Sequence, residues 1–210
     1  MPTFYDFQRA PSPRRARIVL AEKAIAHQVV QIDLGTGEQL SAAYRAINPA
    51  CTVPALVLDS GEVLTDNAAI AAWAEAVQPE PPLLGQSPLD KAQVASWNSK
   101  IEGECFTAIA EVLRNTSKGM VGRALPGPND YPQIPELAER GRARLGHFLG
   151  RFEEHMTGRA WVATDMFSLA DISAGVALDF AGWVKVDADE GRPAVAAWRA
   201  QLAARESFAL

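Results

Sequence analysis

The stretch GEQLSAAYRAINPACTVPALVLDSGEVLTDNAAIAAW, residues 37–73, decides the fold class. Residues 38–47 read as helix, and Asn48-Pro49 stops it, because proline has no amide hydrogen and biases the residue before it away from helical geometry. PALVLD and GEVLT follow as short apolar runs on either side of Asp59-Ser60-Gly61, which is the pattern of a β-hairpin. Asp66 and Asn67 then open a helix whose buried stripe is Ile70, Trp73, Ala74 and Val77.

Upstream, TFYDF (3–7) is short and aromatic, RRARIVLAEKA (14–24) has helical spacing, and HQVVQIDL (27–34) returns to strand character. Strand, helix and strand at this spacing form a βαβ unit, which favours parallel pairing. The order is therefore βαβ, helix, ββα, the thioredoxin-like arrangement. Its last helix needs a surface to pack on, so a second domain is expected. The boundary is QPEPPLLGQSP (78–88), whose four prolines and one glycine are incompatible with regular structure. Beyond it the periodicity is helical over 89–117, 132–156, 168–184 and 193–204, with the loop ALPGPNDYP (124–132) between the first two. The expected organisation is an α/β domain over 1–79, a linker over 80–88 and an all-α domain over 89–210. In FSLADIS (167–173), Ser168 and Asp171 have the spacing of a capping box, a folding device.

Composition narrows the function classes. The chain has 210 residues, 48% hydrophobic and 21% charged, which excludes a disordered protein. A formal charge of −5 disfavours nucleic acid as the main partner. Two cysteines, Cys51 and Cys105, do not make a disulfide framework and point to a reducing, cytoplasmic setting. No signal peptide is expected, and AGVALDFAGWV (174–184) is interrupted by Asp179 well short of a membrane span. His27, His147 and His155 show no metal-ligand clustering, and Cys105 reads as a buried thiol.

Gly37, Leu40, Ser41, Tyr44, Asn48-Pro49, Val53-Pro54 and Leu56 stand in register with a motif of the cytosolic glutathione transferases, which the whole chain resembles. The resemblance implies the two-domain glutathione transferase fold, glutathione as cosubstrate, no metal, and a homodimer. It also implies a cis Val53-Pro54 bond whose flanking Val53 amide and carbonyl pair with the cysteinyl backbone of glutathione, as an added strand would. Asp66-Asn67 replaces the family's Glu-Ser pair. The head of that helix suits the γ-glutamyl carboxylate and the acid suits its ammonium; helix capping alone is the other reading. Gln39 aligns with the family's contact to the glycyl end, against the reading of a solvent-exposed helix residue, and Thr52 adjoins the Val53-Pro54 bond.

The sulfur end is less determined. Ser12 carries the only Ser, Thr or Cys side chain in QRAPSPRRARI (8–18). With Pro13 after it, Ser12 reads as an N-cap followed by the first helical residue. Counting back from Arg15-Ala16-Arg17-Ile18 places Ala10, not Ser12, at the family's serine position. Tyr5 is the second candidate hydroxyl. Trp97, Ile101, Phe106, Arg114 and Tyr131 are the candidates for an electrophile pocket in the second domain, or plain core and surface. The implied activity is transfer of the glutathione thiolate to a small hydrophobic electrophile. Its competitors are a non-catalytic binding or scaffold member and a glutathione-dependent isomerase; a disulfide-exchange enzyme is disfavoured because residues 8–18 contain no cysteine.

Overall fold

The computed structural model describes residues 1–210. The chain divides into two compact units, Met1–Pro81 with Pro126–Asn129 and Leu210, and Pro82–Leu125 with Asp130–Ala209.

The first unit is built on four strands in the order β2-β1-β3-β4. They are β1 (Thr3–Asp6), β2 (Gln28–Gln31), β3 (Ala55–Val57) and β4 (Val63–Leu64). β1 pairs parallel to β2 and antiparallel to β3, with Phe4 opposite Val29 on one side and Leu56 on the other. β3 and β4 close the expected hairpin, with Leu56 opposite Leu64. Alternation along β1 sends Phe4 and Tyr5 to opposite faces. Phe4 joins Ala16, Leu20, Leu56 and Ile70 in one core cluster, under the helices α1 (Pro11–Glu22) and α3 (Asn67–Val77). Tyr5 packs on the other, which is made of Ile32, Tyr44 and Val53.

Two expectations are corrected in this unit. Residues 38–47 are not one helix: a 3-10 turn over Glu38–Leu40 is followed by a short helix, α2 (Ala42–Arg45). Ser41 separates them, extended at φ −65°, ψ 153°, with its side chain accepting the Tyr44 amide, so it caps the second piece and cannot continue the first. Ser12 is not the N-cap of α1. Ala10 holds that position in extended geometry (φ −79°, ψ 137°), Pro11 is the first helical residue, and Ser12 is the second. Asp66 does cap α3, accepting the Ala69 amide at 2.8 Å.

Lys23 follows α1 and is 1% exposed. Its ammonium meets the Glu75 carboxylate at 2.5 Å and donates to the carbonyls of Pro79 and Pro81. A buried cation so surrounded fixes the path of the chain out of α3.

The second unit is helical: α4 (Pro88–Lys100), α5 (Thr107–Thr116), α6 (Pro135–Met156), α7 (Leu169–Ala181) and α8 (Pro193–Ala203). The helix expected over 89–117 is interrupted by one wide π-helical segment, Ile101–Phe106. α5 and α6 meet closely at Gly141, where a β-carbon would sit 2.7 Å from the Ala108 carbonyl oxygen. α7 runs through the core, with every residue from Leu169 to Leu178 buried. The capping box at its head is formed. Asp171, fully buried, accepts from the Ser168 amide and hydroxyl at 2.9 and 3.0 Å, from the Val162 amide at 2.9 Å and from the Trp198 indole at 3.0 Å.

Candidate functional site

Three segments of the first unit carry polar groups left without partners inside the protein. The first is the passage from β1 into α1. Asp6 is 2% exposed and takes a two-pronged contact from Arg17, Nε at 3.1 Å and Nη2 at 2.9 Å. Gln31 Nε2 donates to the same carboxylate at 3.1 Å. Arg17 Nη2 also reaches the Gln8 carbonyl, and Gln31 Oε1 accepts the Gln8 amide. This network ties residue 8 to strands β1 and β2 and so fixes where α1 begins. Prolines at 11 and 13 leave Ser12 as the only one of the first three helical residues with an amide hydrogen, and no carbonyl accepts it.

The second segment is the turn into β3. Val53-Pro54 is cis, as expected from the resemblance. Tyr44 Oη and Asn48 Nδ2 both donate to the Thr52 carbonyl, at 2.7 and 2.8 Å, and Asn48 also reaches Thr52 Oγ1 at 3.2 Å. Burial pushes the Tyr44 phenol up to about 12, so it remains a donor throughout the neutral range. Thr52 is thereby held from the side of α2, while the Val53 amide and carbonyl bond to nothing within the chain. Gln39 stands in the 3-10 turn. The reading of it as a solvent-exposed residue is corrected: it is 4% exposed, and its Oε1 is buried without a partner.

The third segment is the head of α3. Asp66 is exposed and uses one carboxylate oxygen in the cap. Asn67, the first residue of the helix, donates from Nδ2 to Ser12 Oγ at 3.0 Å, while its Oδ1 is buried and unpartnered. That bond brings the heads of α1 and α3 together. Two helix amino termini then converge, each a source of partial positive charge.

The remaining candidates are placed otherwise. Tyr5 packs edge-on to Tyr44, ring centroids 5.9 Å apart, within the second core cluster. Trp97 lies against His155 at 4.1 Å and Phe152 at 6.0 Å, with the Lys100 ammonium over its ring. Ile101 is fully buried, and Phe106 packs against Phe180. Arg114 donates to the Arg123 carbonyl at 2.9 Å, and burial lowers its pKa from the usual value. Tyr131 is 41% exposed and bridges to Arg123. Apart from those of Tyr5, which belongs to the first unit, these contacts lie within the helical unit. The sequence marks Tyr44 and Asn48 as members of the family motif and as a helix residue and its stop, but not as the donors that hold Thr52, and Asp6, Gln31 and Arg17 carry no signal of their pairing. No group of three or more His, Cys, Asp or Glu side chains is placed to hold a metal ion, and no helix is long and apolar enough to cross a membrane.

The chain is similar to known proteins along nearly its whole length. Residues 10–77 match the family model of the glutathione S-transferase N-terminal domain, and residues 101–206 that of the C-terminal domain. The chain is 32% identical to glutathione S-transferase 2 of Saccharomyces cerevisiae, over 97% of this chain and 86% of that protein. It is 40% identical to maleylacetoacetate isomerase of Pseudomonas aeruginosa over 174 residues, 80% of this chain and 76% of the relative. The solved structure of a glutathione S-transferase domain-containing protein from Marinobacter aquaeolei superposes with a TM-score of 0.88 at 32% identity, covering 98% of each chain. The chain therefore belongs to the glutathione S-transferase family, a family of transferases.

Proposed function

We propose that the protein binds reduced glutathione on its first unit and transfers it, as thiolate, to small hydrophobic electrophiles. The observation that carries this reading is the Ser12–Asn67 hydrogen bond, because it sets the open donors of α1 beside the head of α3. The cysteinyl backbone pairs with the free amide and carbonyl of Val53. The γ-glutamyl carboxylate lies at the amino terminus of α3, its ammonium at Asp66, and the glycyl carboxylate accepts from the side-chain amide nitrogen of Gln39. The sulfur faces Ser12.

The chemistry needs little else. Lowering a thiol pKa from ~8.5 to ~6.5 takes roughly 2.7 kcal/mol in favour of thiolate. One charge-assisted hydrogen bond supplies ~1.5–3 kcal/mol, and a helix terminus adds ~0.3–1. The thiol proton goes to solvent. The sulfur lone pair then forms the new carbon–sulfur bond, and a leaving group departs with its electron pair, or a double bond takes up the charge. A cytoplasmic homodimer completes the reading: the two cysteines, Cys51 and Cys105, are free and buried, which suits a reducing compartment.

A second reading has its own support. The 40% identity to an isomerase favours a reaction in which glutathione adds to the substrate, then leaves, and is returned unchanged. Thiol consumption separates the two. With a chloronitroaromatic substrate, transfer predicts one thiol lost per chloride released, at a rate proportional to enzyme. Catalysed isomerisation of an activated cis-alkene with thiol fully recovered, and no turnover of the chloronitroaromatic, would assign the second reading. Neither reaction at saturating glutathione would overturn both and leave a binding or scaffold protein.

A further inference from the structure

Ser12 is unusual in what surrounds it. The Ala10 amide is spent on the Phe7 carbonyl and the Arg14 amide on the Ala10 carbonyl, while Pro11 and Pro13 have none. The open donors at the head of α1 are thus both on Ser12, its N–H and its O–H. A hydroxyl has one donor hydrogen and two acceptor positions. The Asn67 amide nitrogen, which can only donate, occupies one acceptor position at 3.0 Å. Resting on the glutathione reading above, we infer that Asn67 is a positioning residue acting through Ser12: by donating to Oγ it forbids the hydroxyl from spending its hydrogen on α3, and turns it to the thiolate.

The polarity of residue 67 then decides where the Ser12 hydrogen goes. An aspartate there would accept the Ser12 hydrogen instead, drawing it off the sulfur, and would add a negative charge beside the thiolate. An asparagine does the reverse. The Asn67 Oδ1 is buried and has no partner, so the Ser12 contact is the side chain's hydrogen bond within the chain.

The test is a set of four proteins: wild type, Ser12→Ala, Asn67→Asp and the double variant. Aspartate is well suited to the first turn of a helix, so Asn67→Asp preserves the fold. Glutathione binding is measured by calorimetry, and the bound thiol is titrated at saturating glutathione through thiolate ultraviolet absorbance. Ser12→Ala is expected to lower the thiolate fraction near neutral pH about tenfold, and Asn67→Asp by at least as much. In the Ser12→Ala background, Asn67→Asp should lower it by about threefold or less, since only the added charge still acts. The same fold-change in both backgrounds would overturn the positioning role, leaving Asn67 as an independent contact. Absence of binding by the wild type would instead remove the glutathione reading itself.

Discussion

The Tyr44 hydroxyl donates to the Thr52 carbonyl at 2.7 Å from a side chain that is 2% exposed. It braces the turn that presents Val53 from beneath. Burial raises its phenol to about 12, against about 10 in the unfolded chain. A group whose folded pKa is raised gives stability that is complete below the unfolded value and is lost as pH climbs through the folded one. Tyr44→Phe should therefore cost about 1 kcal/mol at pH 7, because Asn48 still serves the carbonyl. Between pH 10 and 12 the wild type should lose stability faster than the variant, by about 1.4 kcal/mol per pH unit. Denaturant unfolding of the two proteins at a series of alkaline pH values checks this. A gap that stays constant up to pH 11.5 would show that the phenol ionises as freely folded as unfolded.

Asp171 gathers four hydrogen bonds in a site closed to water. Asp171→Ala leaves the Val162 and Ser168 amides and the Trp198 indole without an acceptor, each at ~1–3 kcal/mol. The expected loss is about 4 kcal/mol or more. Asp171→Asn, which keeps one acceptor, should fall between. Equal melting temperatures for the alanine variant and the wild type would remove the carboxylate from the account of α7.

Lys23 makes a comparable case in the first unit. Lys23→Met leaves the Glu75 carboxylate and two proline carbonyls facing an apolar side chain. Losing one member of a buried ion pair costs about 3 kcal/mol, equivalent to a fall of roughly 6–12 °C in Tm for a chain of this size. An unchanged Tm, or one that rises, would show that Glu75 is satisfied without it.

Gly141 tests the helical unit by addition rather than removal. Its β-carbon would meet a backbone oxygen, Ala108 O, at 2.7 Å, so α5 and α6 must part to admit one methyl group. Overpacking of this kind costs ~1–3 kcal/mol, although alanine is the better helix former. A Gly141→Ala variant that melts higher than wild type would show that the two helices yield freely.

What the sequence revealed depends on how local the governing interaction is. The α3 cap at Asp66 and the Ser168–Asp171 box are three-residue devices and were readable from spacing alone. Ser12 was misplaced because Pro11 and Pro13 both suit a first helical position. The structure resolves the choice through Ala10, which is extended as a residue before proline prefers to be, whereas Ser12 is helical despite Pro13. The π-helical turn at Ile101–Phe106 has no sequence signature within a continuous helical pattern. Gln39 is a polar residue in a 3-10 turn, and nothing in its neighbours announces burial. The pairing of Arg17 with Asp6, and of Asn67 with Ser12, joins residues on different elements, so only the fold reveals it.

In the proposed function the first unit holds glutathione through the head of α3 and the Val53 backbone. Calorimetric titration with reduced glutathione of wild type and Asp66→Asn tests it most directly. Asparagine caps a helix as well as aspartate does, so the variant removes the charge that would face the ammonium and little else. The account predicts saturable one-to-one binding by the wild type, weakened about tenfold in the variant, the equivalent of ~1.4 kcal/mol. No heat from the wild type at millimolar glutathione, or identical affinity in the two proteins, would contradict it.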